Sequence, residues 1–395
     1  MNNNTITTHL PRIASIDVFR ALTMFFMMWV NDFWSLSGVP HWLEHAARRE
    51  DFLGFSDIVF PFFLFIVGMS IPYAIENRFA KGDSYLKVAF HVFVRFGALL
   101  VMGILTANLA AGVDPAIGMT KPIFAILSVS CLFLIWNVYP KVEGKKKWLF
   151  VALQIIGIAG LLFLAYIYRS SRGREFTIGW HILGSIGWAY IVCALIYLFA
   201  RHRLKWHIAA WVLIVALSMA TANGYLGSWG KILPGRWNLQ AFTMSGVVLS
   251  MLFIKFSSTV ALKKFLPAIV GLGGIVLLLG LFVLRRFWII SKISNTPTWL
   301  FICVGMAVIL YTLLYWLVDV KRKKSWFRAI SPAGYATLTC YFTPHYLYAI
   351  FTLIGITFPT WVVTCPQGLL KCLVFAFLTM GMTAIMVKIG LKLRI

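Results

Sequence analysis

The chain has 395 residues, of which 61% are hydrophobic and only 12% are charged, and its mean hydropathy is +0.85. This composition excludes a soluble globular protein, a disordered chain and a fibrous protein. At about 20 residues for each bilayer crossing, the apolar sequence suffices for about twelve spans and leaves little for a soluble domain. We therefore predict an all-α, polytopic helical membrane protein.

The predicted elements are twelve apolar runs bounded by charges, glycine or proline. They lie near residues 17–36, 56–76, 87–111, 118–138, 148–168, 180–200, 206–222, 239–259, 265–284, 298–318, 330–355 and 369–390. The first run leads into Trp34 and lacks a small-residue cleavage site. We therefore expect it to remain as a span and not to act as a signal peptide.

The formal net charge of +24 would suggest a nucleic-acid partner in a soluble protein. Here the basic residues lie in short loops between apolar runs, so membrane lipid explains them better than nucleic acid does. With a cytoplasmic N-terminus, the inside segments hold 22 of the 36 Lys and Arg residues and the outside loops hold 12. This bias predicts that both termini are cytoplasmic.

Several common chemical motifs do not occur in the sequence. The six cysteines form no C-x-x-C pair, and at least four of them fall inside apolar runs. The sequence also contains no Gly-rich phosphate loop, no H-E-x-x-H and no G-x-S-x-G. We therefore expect neither a disulfide framework nor a metal site.

The densest polar cluster runs from Asn31 and Asp32, after the first apolar run, to Asp57 at the start of the second. Ionisable groups beside membrane spans are functional candidates, because they are costly in hydrocarbon. Twelve residues separate His45 from Asp57, too many for one helix face, so a contact between them requires the loop to fold back. A carboxylate bonded to one imidazole nitrogen would leave the other nitrogen free as a base. The alternative is that His41 and His45 are ordinary interfacial residues.

Each of three further features has a structural explanation as well as a functional one. The segment Lys292–Trp299 is polar, but Pro297 is typical of a helix start, so Thr296 serves equally well as a cap. His345 follows Pro344 midway along an apolar run, which favours a packed or hydrogen-bonded histidine. Tryptophans at predicted outer boundaries indicate an aromatic belt, of which one or two could stack on a sugar: Trp34, Trp42, Trp180, Trp237 and Trp299.

A series of motifs runs through most of the chain and is most specific in the first 78 residues. It consists of Arg12-x-x-Ser15-x-Asp17-x-Phe19-Arg20, Val30-Asn31, Glu44-His45-Ala46, the stretch from Gly54 through Asp57, Pro61 and Gly68 to Ser70, Ile182 to Tyr190, Thr296-Pro297-Thr-Trp299, Val318-Asp319 and Pro332-Ala-Gly334. These motifs resemble the transmembrane acetyltransferases related to heparan-alpha-glucosaminide N-acetyltransferase, and in particular their bacterial branch.

The resemblance implies a single transmembrane acyltransferase domain over residues 1–395, with two extra spans inserted near 118–168. It also implies an acetyl-CoA-dependent amino-sugar N-acetyltransferase of the bacterial inner membrane, which transfers acetyl from cytoplasmic acetyl-CoA to the amine of a glucosamine-like sugar on the periplasmic side. Acetyl-CoA is then a co-substrate, and the family's active-site residues fall on Asn31, His45 and Asp57. For the phosphates of coenzyme A, the candidates are the basic groups at predicted inner positions: Arg20, Arg78, Lys87 and Arg95.

The chain departs from the family pattern in three places. The loop between His45 and Asp57 is two residues longer than in the family and lacks a Trp-Asn pair. The family's Leu-Gln-Arg-Ile-Gly motif reads Leu183-Gly-Ser-Ile-Gly187 here. The Asn expected after Gly334 is Ala336. The acceptor sugar, an acetyl-histidine intermediate and a homodimer stay open. Two other functions also stay open: a sugar transporter, although no internal repeat is detectable, and an O-acyltransferase acting on a cell-surface glycan.

Overall fold

The computed structural model describes residues 13–140, 142–256 and 260–395, without the side chain of Lys145. Arg12 and Lys141, which contributed to the predicted inside charge, lie outside the described residues. The α-helices are α1 (Ala14–Asn31), α2 (Phe55–Phe79), α3 (Tyr85–Ala110), α4 (Lys121–Trp136), α5 (Lys145–Ile167), α6 (His181–Ala200), α7 (Leu204–Ala222), α8 (Asn238–Phe256), α9 (Leu262–Leu278), α10 (Pro297–Tyr315), α11 (Ser331–Tyr335), α12 (Thr337–Ile354), α13 (Thr360–Val363) and α14 (Gln367–Lys388). The described ranges contain no β-sheet, so the all-α class is confirmed.

Each of the twelve predicted runs overlaps at least one of these helices. Within the described part of the chain, nine helices are long and apolar enough to cross a membrane: α2, α3, α5, α6, α7, α8, α9 with its extension to Arg286, α10 with its extension to Val320, and α14. The protein is therefore a polytopic integral membrane protein. The helices α1, α4 and α12 overlap predicted spans but are not among the nine, and α4 is an apolar helix of only 16 residues. The count of about twelve spans stays a prediction.

The chain forms two compact units. Unit 1 consists of the described residues up to Thr23, Pro40–Gly97 and Ser185–Phe327. Unit 2 consists of Met24–Val39, Ala98–Gly184 and Arg328–Ile395. The chain passes from one unit to the other within α1, α3 and α6. A single functional domain stays a prediction.

In unit 1, α2 packs most extensively against α8, because small residues let the two backbones approach closely. A Cβ atom on Gly68 would lie 1.8 Å from the carbonyl oxygen of Thr243, and one on Gly246 would lie 2.0 Å from that of Phe65. Helices in membranes associate through such close packing, since lipid gives them little hydrophobic driving force. The helix α2, whose first turn carries Asp57, is therefore firmly held.

In unit 2, α4 packs against α5 and α12, and α12 packs against α14. The hydroxyls of Thr343 and Thr383 lie 3.1 Å apart and join α12 to α14. Large apolar side chains of α5, such as Leu162 and Tyr166, are exposed, as expected of a helix that faces lipid. The pair α4 and α5 occupies the region of the two predicted extra spans, but their insertion into a smaller core stays a prediction.

Candidate active site

The segment between Pro40 and Gly54 folds back onto the start of α2. The hydroxyl of Ser56 donates a hydrogen bond to the carbonyl oxygen of Leu43 at 2.5 Å, and Leu43 is buried. A Cβ atom on Gly54 would lie only 1.8 Å from the carbonyl oxygen of Glu44. Glycine at position 54 therefore allows the fold-back that the twelve-residue separation of His45 and Asp57 requires.

His45 and Asp57 form a hydrogen-bonded pair. Nδ1 of His45 lies 2.7 Å from Oδ1 of Asp57, and the backbone N–H groups of Ala46 and Gly54 donate to Oδ2 at 3.0 and 3.3 Å. The side chain of Asp57 is 1% exposed, whereas that of His45 is 51% exposed. A carboxyl surrounded by N–H donors acts as an acceptor-only carboxylate, so Nδ1 of His45 carries the proton. In the neutral imidazole, Nε2 then carries no proton and can serve as a base.

Lys292 and Trp299, on either side of the start of α10, also contact this pair. Nζ of Lys292 lies 3.2 Å from Nδ1 of His45 and 3.8 Å from Oδ1 of Asp57. Burial lowers the pKa of the Lys292 ammonium, and the charge of Asp57 partly opposes that effect. Nε1 of Trp299 donates to the backbone carbonyl oxygen of Asp57 at 3.1 Å. The predicted aromatic-belt position is wrong for Trp299, because its ring is buried and packs against Phe242 at 4.8 Å.

Hydrogen bonds fix the loop of His45 to the loop of Lys292. One carboxylate oxygen of Asp51 accepts from Nε of Arg285 and the other from the backbone N–H of Ile290, both at 2.8 Å. Partial burial raises the pKa of the Asp51 carboxyl, but the hydrogen bonds from Ile290 and Arg285 hold that pKa below its ordinary value. Two more bonds run to the carbonyl oxygen of Arg48, from the hydroxyls of Ser291 and Ser294. The contact between Lys292 and His45 is therefore built by both loops.

His41 lies in the same loop as His45 but has different partners. Its Nε2 lies 2.6 Å from a carboxylate oxygen of Glu50, and its ring stacks on Phe52 at 4.6 Å. The backbone N–H of Ala47 and the ring of His41 hold the pKa of Glu50 below its ordinary value. Since both side chains of the His41–Glu50 pair are partly exposed, it fits the interfacial interpretation of His41.

The sequence matches one family model over residues 12–265, which is more than half of the chain. The description of that model is "Domain of unknown function (DUF5009)". The chain belongs to this family. The matched region includes Asn31, His45 and Asp57 of this DUF5009 member, whereas Lys292 lies beyond it.

Part of the chain is similar to two characterised enzymes. It is 31% identical over 99 residues to the heparan-alpha-glucosaminide N-acetyltransferase of Homo sapiens and 31% identical over 98 residues to that of Mus musculus. Each match covers 25% of this chain but only 14% of the relative's own length. The resemblance inferred from the motifs is therefore confirmed over a quarter of this DUF5009 chain.

Asn31, the third predicted catalytic residue, is the last residue of α1 and belongs to unit 2. In that unit it lines a cavity of about 420 Å³ together with Trp34, His181, His345 and Tyr348. A cavity of this volume is large enough for a small ligand. His345, for which we favoured a packing role, thus contributes to a cavity wall.

Sequence reasoning placed Asp32 in the polar cluster but missed its partners. The carboxylate of Asp32 is fully buried and accepts hydrogen bonds from Nζ of Lys371 at 2.9 Å and from the hydroxyl of Tyr348 at 2.7 Å. Lys371 also donates to the hydroxyl of Ser35 at 2.6 Å. No local pattern indicates these contacts, because α12 and α14 follow Asp32 by more than 300 residues. Asp32 directly follows Asn31 in the chain, so the ion pair of Asp32 with Lys371 supports the C-terminal end of α1.

Two of the four predicted phosphate ligands bind the same carboxylate. Arg78 and Lys87 contact the two oxygens of Asp83 at 2.9 and 2.5 Å. These ion pairs hold the pKa of Asp83 below its ordinary value, the hydrogen bond from Lys87 contributing most. A phosphate could bind both cations only by competing with Asp83.

The other two candidates, Arg20 and Arg95, have separate surroundings. Arg20 donates to Asp17 at 3.1 Å and to the hydroxyl of Ser70 at 2.6 Å. The guanidinium of Arg95 lies 4.8 Å from the ring centre of Tyr190. The coenzyme-binding role of all four residues stays a prediction.

Proposed function

We propose that the protein is a transmembrane acetyltransferase of a bacterial inner membrane, with both termini in the cytoplasm. It transfers an acetyl group from cytoplasmic acetyl-CoA to the amine of a glucosamine-like amino sugar on the periplasmic side. The proposal rests chiefly on the 2.7 Å contact between the half-exposed imidazole of His45 and the buried carboxylate of Asp57. The partial similarity to heparan-alpha-glucosaminide N-acetyltransferases supports acyl transfer as the reaction.

In the proposed reaction, the amine nitrogen attacks the carbonyl carbon of the thioester. The new C–N bond forms as Nε2 of His45 accepts a proton from the amine, and Asp57 stabilises the resulting imidazolium. The C–S bond then breaks, and the imidazolium returns the proton to the thiolate of coenzyme A. The alternative is that Nε2 itself attacks the thioester carbonyl, the C–S bond breaks to release the thiolate of coenzyme A, and the amine then takes the acetyl group from the resulting acetyl-histidine.

The remaining predicted residues have roles in the same scheme. The amide of Asn31 donates a hydrogen bond to the oxyanion that forms at the thioester carbonyl, and loss of one such donor costs about 3 to 4 kcal/mol. Arg20, Arg78, Lys87 and Arg95 bind the phosphates of coenzyme A. Because a phosphate contact acts on ground state and transition state alike, R20Q and R95Q should weaken acetyl-CoA binding more than turnover.

The test uses purified protein in detergent with acetyl-CoA, a panel of amino sugars and a matched set of hydroxyl-only sugars. Release of free thiol is followed for the native chain, for H45A and for H41A as the control from the same loop. We expect thiol release that depends on an amino sugar, is lost in H45A by about 10²- to 10⁴-fold and is retained in H41A. Mass spectrometry of the His45 peptide, after rapid mixing with acetyl-CoA alone, separates direct transfer from an acetyl-histidine.

Three other outcomes contradict the proposal. Thiol release with hydroxyl-only sugars alone would identify an O-acyltransferase. Sugar exchange across proteoliposomes without thiol release would identify a transporter. Full activity of H45A would remove the base from the mechanism. Oriented proteoliposomes test the sidedness, because acetyl-CoA should act only from the inner face and the amino sugar only from the outer face.

A further inference from the structure

We propose that Lys292 is a positioning residue that keeps Nε2 of His45 unprotonated, by holding a positive charge against the His45–Asp57 pair. The inference rests on the proposed function, in which His45 is the base. Lys292 lies outside the region that matches the DUF5009 family model, which ends at residue 265. The hydrogen bond that Nδ1 of His45 makes decides how Lys292 acts on the ring.

Lys292 cannot donate a hydrogen bond to His45 while His45 donates to Asp57. Both contacts use Nδ1, which lies 2.7 Å from Oδ1 of Asp57 and 3.2 Å from Nζ of Lys292. The shorter contact joins an N–H group to an ionised carboxylate, which makes the stronger kind of hydrogen bond. A protonated Nδ1 has no lone pair available for the ammonium. The contact with Lys292 is therefore electrostatic and acts on the charge of the ring.

The charge of Lys292 opposes the effect of Asp57 on His45. An opposite charge within a few ångströms favours the charged form of a group, commonly by about one to three pH units. Asp57 alone would therefore favour an imidazolium, which cannot accept a proton from an amine. The ammonium of Lys292 disfavours the imidazolium because the two charges have the same sign. The ammonium of Lys292 thus opposes the stabilisation of the imidazolium by Asp57, and a general base must be unprotonated to act.

Partial burial makes this charge effective. The side chain of Lys292 is 25% exposed and that of Asp57 is 1% exposed, so water and salt screen their fields less than at the surface. Cys303 of α10 interacts electrostatically with both Lys292 and Asp57. Glu50 interacts with Asp57 but is itself hydrogen-bonded to another histidine. Asp57 and Lys292, in contrast, both contact the ring of His45 directly.

The test measures the protonation of His45 without turnover. Diethyl pyrocarbonate modifies only the unprotonated imidazole, and the half-exposed ring of His45 is accessible to it. Mass spectrometry of the His45 peptide, at a series of pH values, gives the midpoint of its titration. The variants are K292M and K292Q, which remove the charge, K292R, which keeps it, and R286Q, which removes an exposed cation from the same connection.

We expect the midpoint to rise by about one pH unit in K292M and K292Q, and to stay at the native value in K292R and R286Q. The midpoint of the acidic limb of the kcat/KM pH profile should shift to higher pH by the same amount. At pH values below this midpoint the activity therefore falls about tenfold, and it recovers in alkaline buffer. An unchanged midpoint in folded K292M and K292Q overturns the proposal. So does a K292R variant that behaves like K292M.

The titration also separates this inference from the proposed function. If H45A retains activity but the midpoint rises in K292M, the electrostatic role of Lys292 stands and the role of His45 as a base fails. If H45A is inactive and the midpoint in K292M is unchanged, the base stands and the role of Lys292 fails.

Discussion

Replacing Asp57 by asparagine should reverse the tautomer of His45. In D57N, the backbone N–H groups of Ala46 and Gly54, which now bind Oδ2, still need an acceptor. Only the amide oxygen can accept from them, so the amide NH₂ group must turn toward Nδ1 of His45. Nδ1 then becomes an acceptor, the proton moves to Nε2, and the nitrogen that served as the base is blocked.

The expected loss follows from this geometry. A positioned general base contributes about 10²- to 10⁴-fold to rate, and the upper part of that range applies because Nε2 is blocked and not merely weakened. The shape of the side chain and its hydrogen bonds to the backbone are retained, although a neutral acceptor makes those bonds weaker, so the variant should fold. The loss should therefore appear in kcat and far less in the binding of acetyl-CoA.

The assay is the initial rate of thiol release at saturating acetyl-CoA and amino sugar. The matched control is E50Q, which makes the same chemical change in the partner of the neighbouring histidine, His41, and should keep most of the activity. Size-exclusion chromatography and thermal unfolding in detergent verify that both variants are folded. A D57N variant within tenfold of the native rate, or an E50Q variant equally impaired, would refute the tautomer argument.

Two predictions concern stability, measured by thermal unfolding in detergent. G68A should destabilise by about 1–3 kcal/mol, because its Cβ would lie 1.8 Å from the carbonyl oxygen of Thr243, whereas G97A, with no atom within 4 Å of its Cβ, should not destabilise. Equal destabilisation by the two would contradict the close packing of α2 and α8. K371M should cost about 3–5 kcal/mol, because it leaves the fully buried Asp32 without its cation, and adding D32N should restore much of the loss. A double variant less stable than K371M would show that the ion pair does not account for the cost.

Much of the fold could be predicted from local sequence, because a membrane helix must be both apolar and long enough to satisfy its own backbone. Each predicted run therefore overlaps a helix, and the predicted start of α10 is confirmed: Thr296 caps it and Pro297 is its first residue. The spacing of His45 and Asp57 in the sequence also allows a contact between them on one condition, which is that the loop between them folds back. The structure meets this condition. The catalytic role of the pair stays a prediction.

The supporting residues could not be predicted, because their contacts depend on how distant helices pack. Lys292 is 247 residues from His45 in the chain, and Trp299 is 242 residues from Asp57. A lysine and a tryptophan near the end of a span are typical of lipid anchoring, so the local pattern gave the wrong surroundings for Trp299. In a membrane protein, an apolar residue faces either lipid or another helix, and hydropathy does not distinguish them.

The position of Asp57 explains how the fold can hold a buried charge beside a reactive histidine. Asp57 lies in the first turn of α2, where the unpaired backbone N–H groups and the helix dipole favour a negative charge. The N–H of Gly54 at the helix start and that of Ala46 in the folded-back loop share one oxygen, which leaves the other for His45. The carboxylate therefore stabilises the helix start and the loop even before any substrate binds. Because removal of the charge at Asp57 also weakens these contacts, a variant at Lys292 tests the electrostatics of His45 more cleanly than a variant at Asp57 does.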